Sequence, residues 1–192
     1  MDTSDEKIIE LSKTKIALAI LGTCAVVAIG IWFLSLDEAI IRTSSSYRLL
    51  FNEPMYARGL GIVAIVVFGA LALFFFKKLF DKKPGLVLNN SGIVDNASAV
   101  AAGFIPWSEI TGYDIFEMPQ QKMLIIMVRD PQKYVERGNA VQQKLNQANF
   151  KMCGSPISIS ANALKINFAE LIALFDEYQR KYGSALPIEF ES

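Results

Sequence analysis

The chain has 192 residues, 19 basic and 19 acidic side chains, and no histidine. Without imidazole it lacks the commonest general base and metal ligand, which excludes Cys–His and Ser–His–Asp centres and any thiol–imidazole zinc cluster. The charge is balanced overall, and the segment from Pro84 onward is slightly acidic, so the chain carries no basic footprint for nucleic acid.

Two stretches carry no charge: Ile16–Leu36 and Gly59–Phe76. As helices they reach roughly 31 and 27 Å, against a hydrocarbon core of about 30 Å, and both are predicted to span a membrane. The first is too long for the apolar core of a cleaved signal peptide, and no small-x-small pair follows it. Orientation follows the basic residues beside the spans. Lys7, Lys13 and Lys15 precede span one, and Lys77, Lys78, Lys82 and Lys83 follow span two, whereas the connector Asp37–Arg58 holds only Arg42, Arg48 and Arg58. Both termini are therefore expected in the cytoplasm and the connector outside. Trp32, Phe33 and Tyr56 suit the outer interface, Phe74–Phe76 the inner one. Gly22, Ala25, Ala28 and Gly30 in span one, and Gly61, Ala64 and Gly69 in span two, offer small faces for close helix packing. Neither span contains an ionisable or amide side chain, which argues against a transporter built from this chain alone.

After Pro84 the apolar runs shorten. Leu86–Leu88 and Ile93–Asp95 are predicted strands joined by the turn Asn89-Asn90-Ser91-Gly92. Gly103–Trp107 is a further strand, placed at an edge or end by Pro106. Tyr113–Met118 follows, then a turn at Pro119–Gln121. Met123–Val128, apolar on both faces, suits a central strand. Asp130-Pro131 opens a helical stretch, which Arg137-Gly138-Asn139 divides in two. Ile157–Ser160 is the last strand. The final helix starts at the capping box Asn167–Glu170 and carries the stripe Phe168, Leu171, Ile172, Phe175, Tyr178 and Tyr182 before Gly183.

Several residues invite a chemical reading. Cys153 is read as a small core residue rather than a nucleophile, and a single thiol in this segment fits a reducing compartment. Asp95, Glu109, Asp114 and Glu117 are read as isolated surface acids, since their spacing brings no two together. Trp107 is read as core packing beside Ile105 and Ile110, not as the wall of a ligand groove. Tyr134–Arg137 is read as a helix end lying on the sheet. Lys77, Lys78, Lys82 and Lys83 carry the one binding mechanism: at an anionic inner leaflet each contributes on the order of 1 kcal/mol of attraction.

The run Gly92–Ile115, with Gly92, Ile93, Ile105, Trp107 and Ile110 at its key positions, resembles bacterial two-span inner-membrane proteins that carry a cytosolic pleckstrin-homology-like domain. The resemblance covers roughly residues 7–183. It implies an α+β membrane protein: a tail and transmembrane hairpin over 1–83, a PH-like antiparallel sheet or barrel closed by an amphipathic helix over 84–183, and a tail over 184–192. The helical stretch Asp130–Ala148 departs from a minimal barrel. Headgroup binding does not carry over, because the first hairpin is matched to Asn89–Gly92, and Pro84–Gln121 holds four acids and no Lys or Arg. The expected function is a non-catalytic, membrane-anchored interaction module at the cytoplasmic face of the inner membrane, with no cofactor, substrate or metal. Its partners are the lipid bilayer and a protein or a second copy. The alternative is an accessory subunit of a transport or envelope-assembly complex, acting through its hairpin.

Overall fold

The computed structural model describes residues 5–37, 54–97, 101–118 and 121–183. The connector arginines Arg42 and Arg48, the turn residues Pro119 and Gln120, and the tail 184–192 lie outside the described residues. The chain forms two compact units, one from Lys13–Asp81 and the other from the segment through Ser12 together with the chain from Lys82 onward.

Among the described residues the first unit is a pair of helices, α1 (Lys13–Ser35) and α2 (Pro54–Leu79). Both are long and apolar enough to cross a membrane. They pack on each other where two glycines meet. A Cβ on Gly30 would stand 2.9 Å from the Gly61 carbonyl oxygen, and one on Gly61 2.8 Å from the Gly30 oxygen. Only hydrogen fits there, which is the physical reason small residues occupy this crossing. Gly22 and Gly69, also read as packing positions, have nothing within 4 Å of an added Cβ. The hydroxyl of Thr23 donates to the carbonyls of Ala19 and Ile20 at 3.0 and 2.9 Å, so the helix satisfies its own polar group.

Among the described residues the second unit holds seven antiparallel strands in two sheets. The first sheet has the order β1 (Lys7–Ile9), β2 (Leu86–Asn89), β3 (Gly92–Asp95), β4 (Gly103–Pro106). The second has the order β5 (Ile110–Met118), β6 (Gln121–Val128), β7 (Ile157–Ser160). Helices α3 (Pro131–Val135) and α4 (Ala140–Cys153) fall between β6 and β7, and α5 (Phe168–Tyr182) follows β7. The expected central strand is central: β6 pairs with both β5 and β7. The expected edge strand is β4, and the expected N-caps form, Asp130 accepting from Lys133 N and Asn167 making the full capping box with Glu170.

The N-terminal segment departs from its reading as a tail. Lys7–Ile9 pairs with β2 in the register Lys7↔Leu88, Ile8↔Val87, Ile9↔Leu86. The pairing continues beyond the strand: Gly85 N donates to Ile9 O at 2.9 Å, Lys165 N to Glu10 O at 3.0 Å, and Ser12 N to Ala163 O at 2.8 Å. Asp5 accepts from Lys181 and Tyr182 of α5. Ile9 is buried in the core and Ile8 is exposed, the alternation of a half-buried strand. The hairpin of helices is thus an insertion between two neighbouring strands of one sheet. Asn89–Gly92 joins the second and third strands, so the match of this turn to a first hairpin is corrected by one strand.

The core joins Ile9, Leu86, Leu88, Ile93 and Ile105 of the first sheet to Leu124, Ile126, Ile157 and Ile159 of the second and to Leu171, Phe175 and Tyr178 of α5. Each such side chain contributes about 1.5–3 kcal/mol by leaving water.

Candidate functional site

Trp107 follows β4 in a single 3₁₀ turn and is 2% exposed. Its indole N–H donates to Asn89 O at 2.7 Å, and its ring lies 5.9 Å from Phe175 and 6.4 Å from Tyr178. It ties the β2–β3 turn to α5 within the core, the packing role its sequence setting predicts.

Each of the four acids has its own partners. Asp95 departs from its reading as a surface acid: at the end of β3 it is buried and accepts from the backbone N–H of Ala97 at 2.9 Å and of Ala102 at 3.1 Å, which replace the water it would otherwise bind. Glu109 accepts from Lys133 Nζ at 2.6 Å and from the Tyr134 hydroxyl at 2.7 Å. These two donors, Lys133 first, hold its carboxyl below the usual range. Burial, and then Glu109, push the Tyr134 phenol upward. Asp114 accepts from Ile115 N at 2.7 Å, and Glu117 pairs with Lys122 at 2.6 Å.

Tyr134 is buried, and the Arg137 guanidinium sits 3.9 Å above its ring. Arg137 also donates to the carbonyls of Ala102 and Phe104 at 2.7 and 2.9 Å. Those carbonyls belong to the outer side of β4 and the residue before it, so one side chain closes that sheet edge. Nothing in the sequence marks Arg137 for this role, because the contact spans more than thirty positions. Cys153 is half-buried at the end of α4, and burial pushes its thiol upward, away from the thiolate a nucleophile needs. Gln179 of α5 is buried, and neither atom of its carboxamide makes a hydrogen bond among the described residues. Among the described residues no group of three or more His, Cys, Asp or Glu could hold a metal ion.

The four lysines lie at the end of α2 and in the segment that follows it. Lys77 and Lys78 occupy the last turn of α2, where cations complement the helix dipole. Lys77 is exposed, whereas Lys78 is buried and paired with Asp81 at 3.2 Å. Together with Phe74 and Phe80 they line a shallow, open depression. Lys82 and Lys83 are exposed in the segment leading to β2. The arrangement offers cationic head groups beside aromatic rings, the chemistry of a membrane interface.

No family model, curated protein or solved structure matches this chain.

Proposed function

We propose that the chain is a non-catalytic interaction module anchored in a bacterial inner membrane by its helix pair, with the folded unit and both termini in the cytoplasm. The observation that carries this reading is the pairing of β1 with β2 across the inserted hairpin. Strands from before α1 and after α2 share one ladder, so both ends of the hairpin must lie on one face of any bilayer it enters. The lysine-rich flanks assign that face to the cytoplasm. The apolar helices are also largely uncovered: 17% and 6% of their most apolar windows are buried. The core helix of a soluble protein hides its apolar side chains; these leave Leu21, Val66 and Leu73 each more than 60% exposed. Lipid is the solvent that accounts for this.

Seven strands split four and three, closed by a C-terminal helix, support a PH-like unit in which α3 and α4 are additions. Its outer strands indicate where a partner chain would add. Arg137 covers β4, residues 163–165 pair with Glu10–Ser12 just beyond β1, and Asn149 of α4 reaches Ser158 of β7 at 3.2 Å. β5 is an outer strand that none of these groups reaches among the described residues, and a protein partner would pair there.

A reporter fused after Ser192 tests the topology: activity confined to the cytoplasmic side is expected, and periplasmic activity, or release of the protein by carbonate, overturns it. Co-purification from gently solubilised membranes tests the module: a near-stoichiometric partner is expected, and a chain that migrates alone overturns it. Gly22 and Gly69, left open by the hairpin's own packing, favour a second reading in which the helices bind other helices of a larger complex. Exchanging both spans for unrelated ones separates the two, since only the second reading loses function.

A further inference from the structure

Helix α4 is turned the unexpected way round. Its one buried side chain is polar: Asn146, whose amide donates to Tyr134 O at 3.0 Å. Its outer face is apolar. Val141, Leu145 and Met152 are 67%, 44% and 55% exposed, and Ala148 is exposed with them. Their spacing of i, i+4, i+7 and i+11 keeps them within about 60° of one helical face. Lys144 and Lys151, both exposed, run along one flank of that stripe. The helix contains no Asp or Glu. It is also firmly held, with a capping box at Asn139–Gln142 and a left-handed Gly154 (φ 73°) at its end. The outward stripe therefore belongs to a fixed element.

We propose that this face of α4 docks on the headgroup region of an anionic bilayer leaflet, with Val141, Leu145 and Met152 entering the interface and Lys144 and Lys151 meeting lipid phosphates. The proposal rests on the membrane-anchored reading above. Lipid is favoured over a protein groove by the charge pattern, an apolar stripe bordered by cations with no carboxylate, which is the composition of helices that lie in an interface. The chain also supplies a tether. Ser12 immediately precedes α1, and only Phe80–Gly85 separate α2 from β2, so the unit cannot leave the membrane surface. For a tethered unit even weak docking becomes intramolecular and is populated accordingly.

The full chain, carrying Cys24→Ala and Cys153→Ala, is labelled with an environment-sensitive fluorophore at Leu145→Cys, at Val67→Cys in α2, or at Glu177→Cys on α5. It is reconstituted in phosphatidylcholine vesicles with or without phosphatidylglycerol, brominated on the acyl chains or not. With phosphatidylglycerol present, bromination should quench the Leu145 label by about twofold, as expected for burial at the acyl boundary, and leave the Glu177 label unchanged. Lys144→Glu with Lys151→Glu should abolish the quenching at Leu145 and spare that at Val67. A Leu145 label that stays unquenched while Val67 is quenched overturns the docking and leaves the anchor standing. Failure at Val67 as well overturns the anchored reading, and the docking with it. Self-quenching between copies at Leu145, without quenching by lipid, assigns the face to a second copy and overturns the proposal.

Discussion

The two units solve opposite problems with the same residue types. In the helix pair, large apolar side chains point away from the protein and the closest contact is made by Gly30 and Gly61, backbone against backbone. In the strand unit, large side chains such as Leu124, Ile126 and Phe175 point inward and are fully buried, and most polar and charged residues stay outside, with Asp95, Asn146, Ser155 and Gln179 buried among them. Hydrophobic burial drives the second arrangement. It cannot drive the first in lipid, where tails are as apolar as leucine and close packing decides. The difference teaches that apolar content says little without the solvent it faces, and each unit should answer differently to the same kind of substitution.

The largest effect is expected from Ile9→Asp, which puts an unpaired carboxylate into the core of the strand unit. The cost is of the order of 3–5 kcal/mol, read as loss of the urea transition followed by Trp107 fluorescence in a Trp32→Phe background. Phe175→Ala should cost about 3–5 kcal/mol in the same assay through the cavity left beside Trp107 and Tyr113. In the helix pair the sign reverses. There a larger residue is the damaging one, and Gly30→Val should cost about 1–3 kcal/mol of helix association, seen as loss of disulfide crosslinking between cysteines placed on α1 and α2. If Gly30→Val instead lowered the urea midpoint of the strand unit, the contrast between the units would break.

Smaller effects sharpen the comparison. Replacing Gln179 with Met, of similar shape, should raise stability by about 1 kcal/mol, because a buried amide without a partner is removed; a fall in the urea midpoint would mean the amide has a use. Glu109 is held below its ordinary pKa in the folded unit, so its contribution is full above the unfolded value and is lost as pH falls through the folded one. Comparing midpoints at pH 7 and below pH 4 should show a loss that Glu109→Gln removes.

The sequence reads clearly where a signal is local. The two long apolar helices are visible because each holds a continuous uncharged run, and α5 because its cap and stripe lie within sixteen residues. The break at Arg137–Asn139 is legible for the same reason, and Asn139 in fact caps α4. What escapes is set by distant partners. β1 is three residues with no period of its own and becomes a strand only against Leu86–Leu88. Arg137 becomes an edge cover only once Phe104 is placed beside it. The reversed face of α4 escapes too, because Val141, Leu145 and Ala148 have a spacing that reads equally well as core or as surface.

The position of β1 has a kinetic consequence. Its residues leave the ribosome before either helix, and the strand that completes them comes after both. At about 5–20 residues per second of synthesis, the first strand waits on the order of ten seconds for its neighbour. During that interval Ile8 and Ile9 are an unpaired edge, and the domain cannot close until the last helix has been delivered. Folding of the strand unit is thereby made a late report on whether the hairpin has been completed.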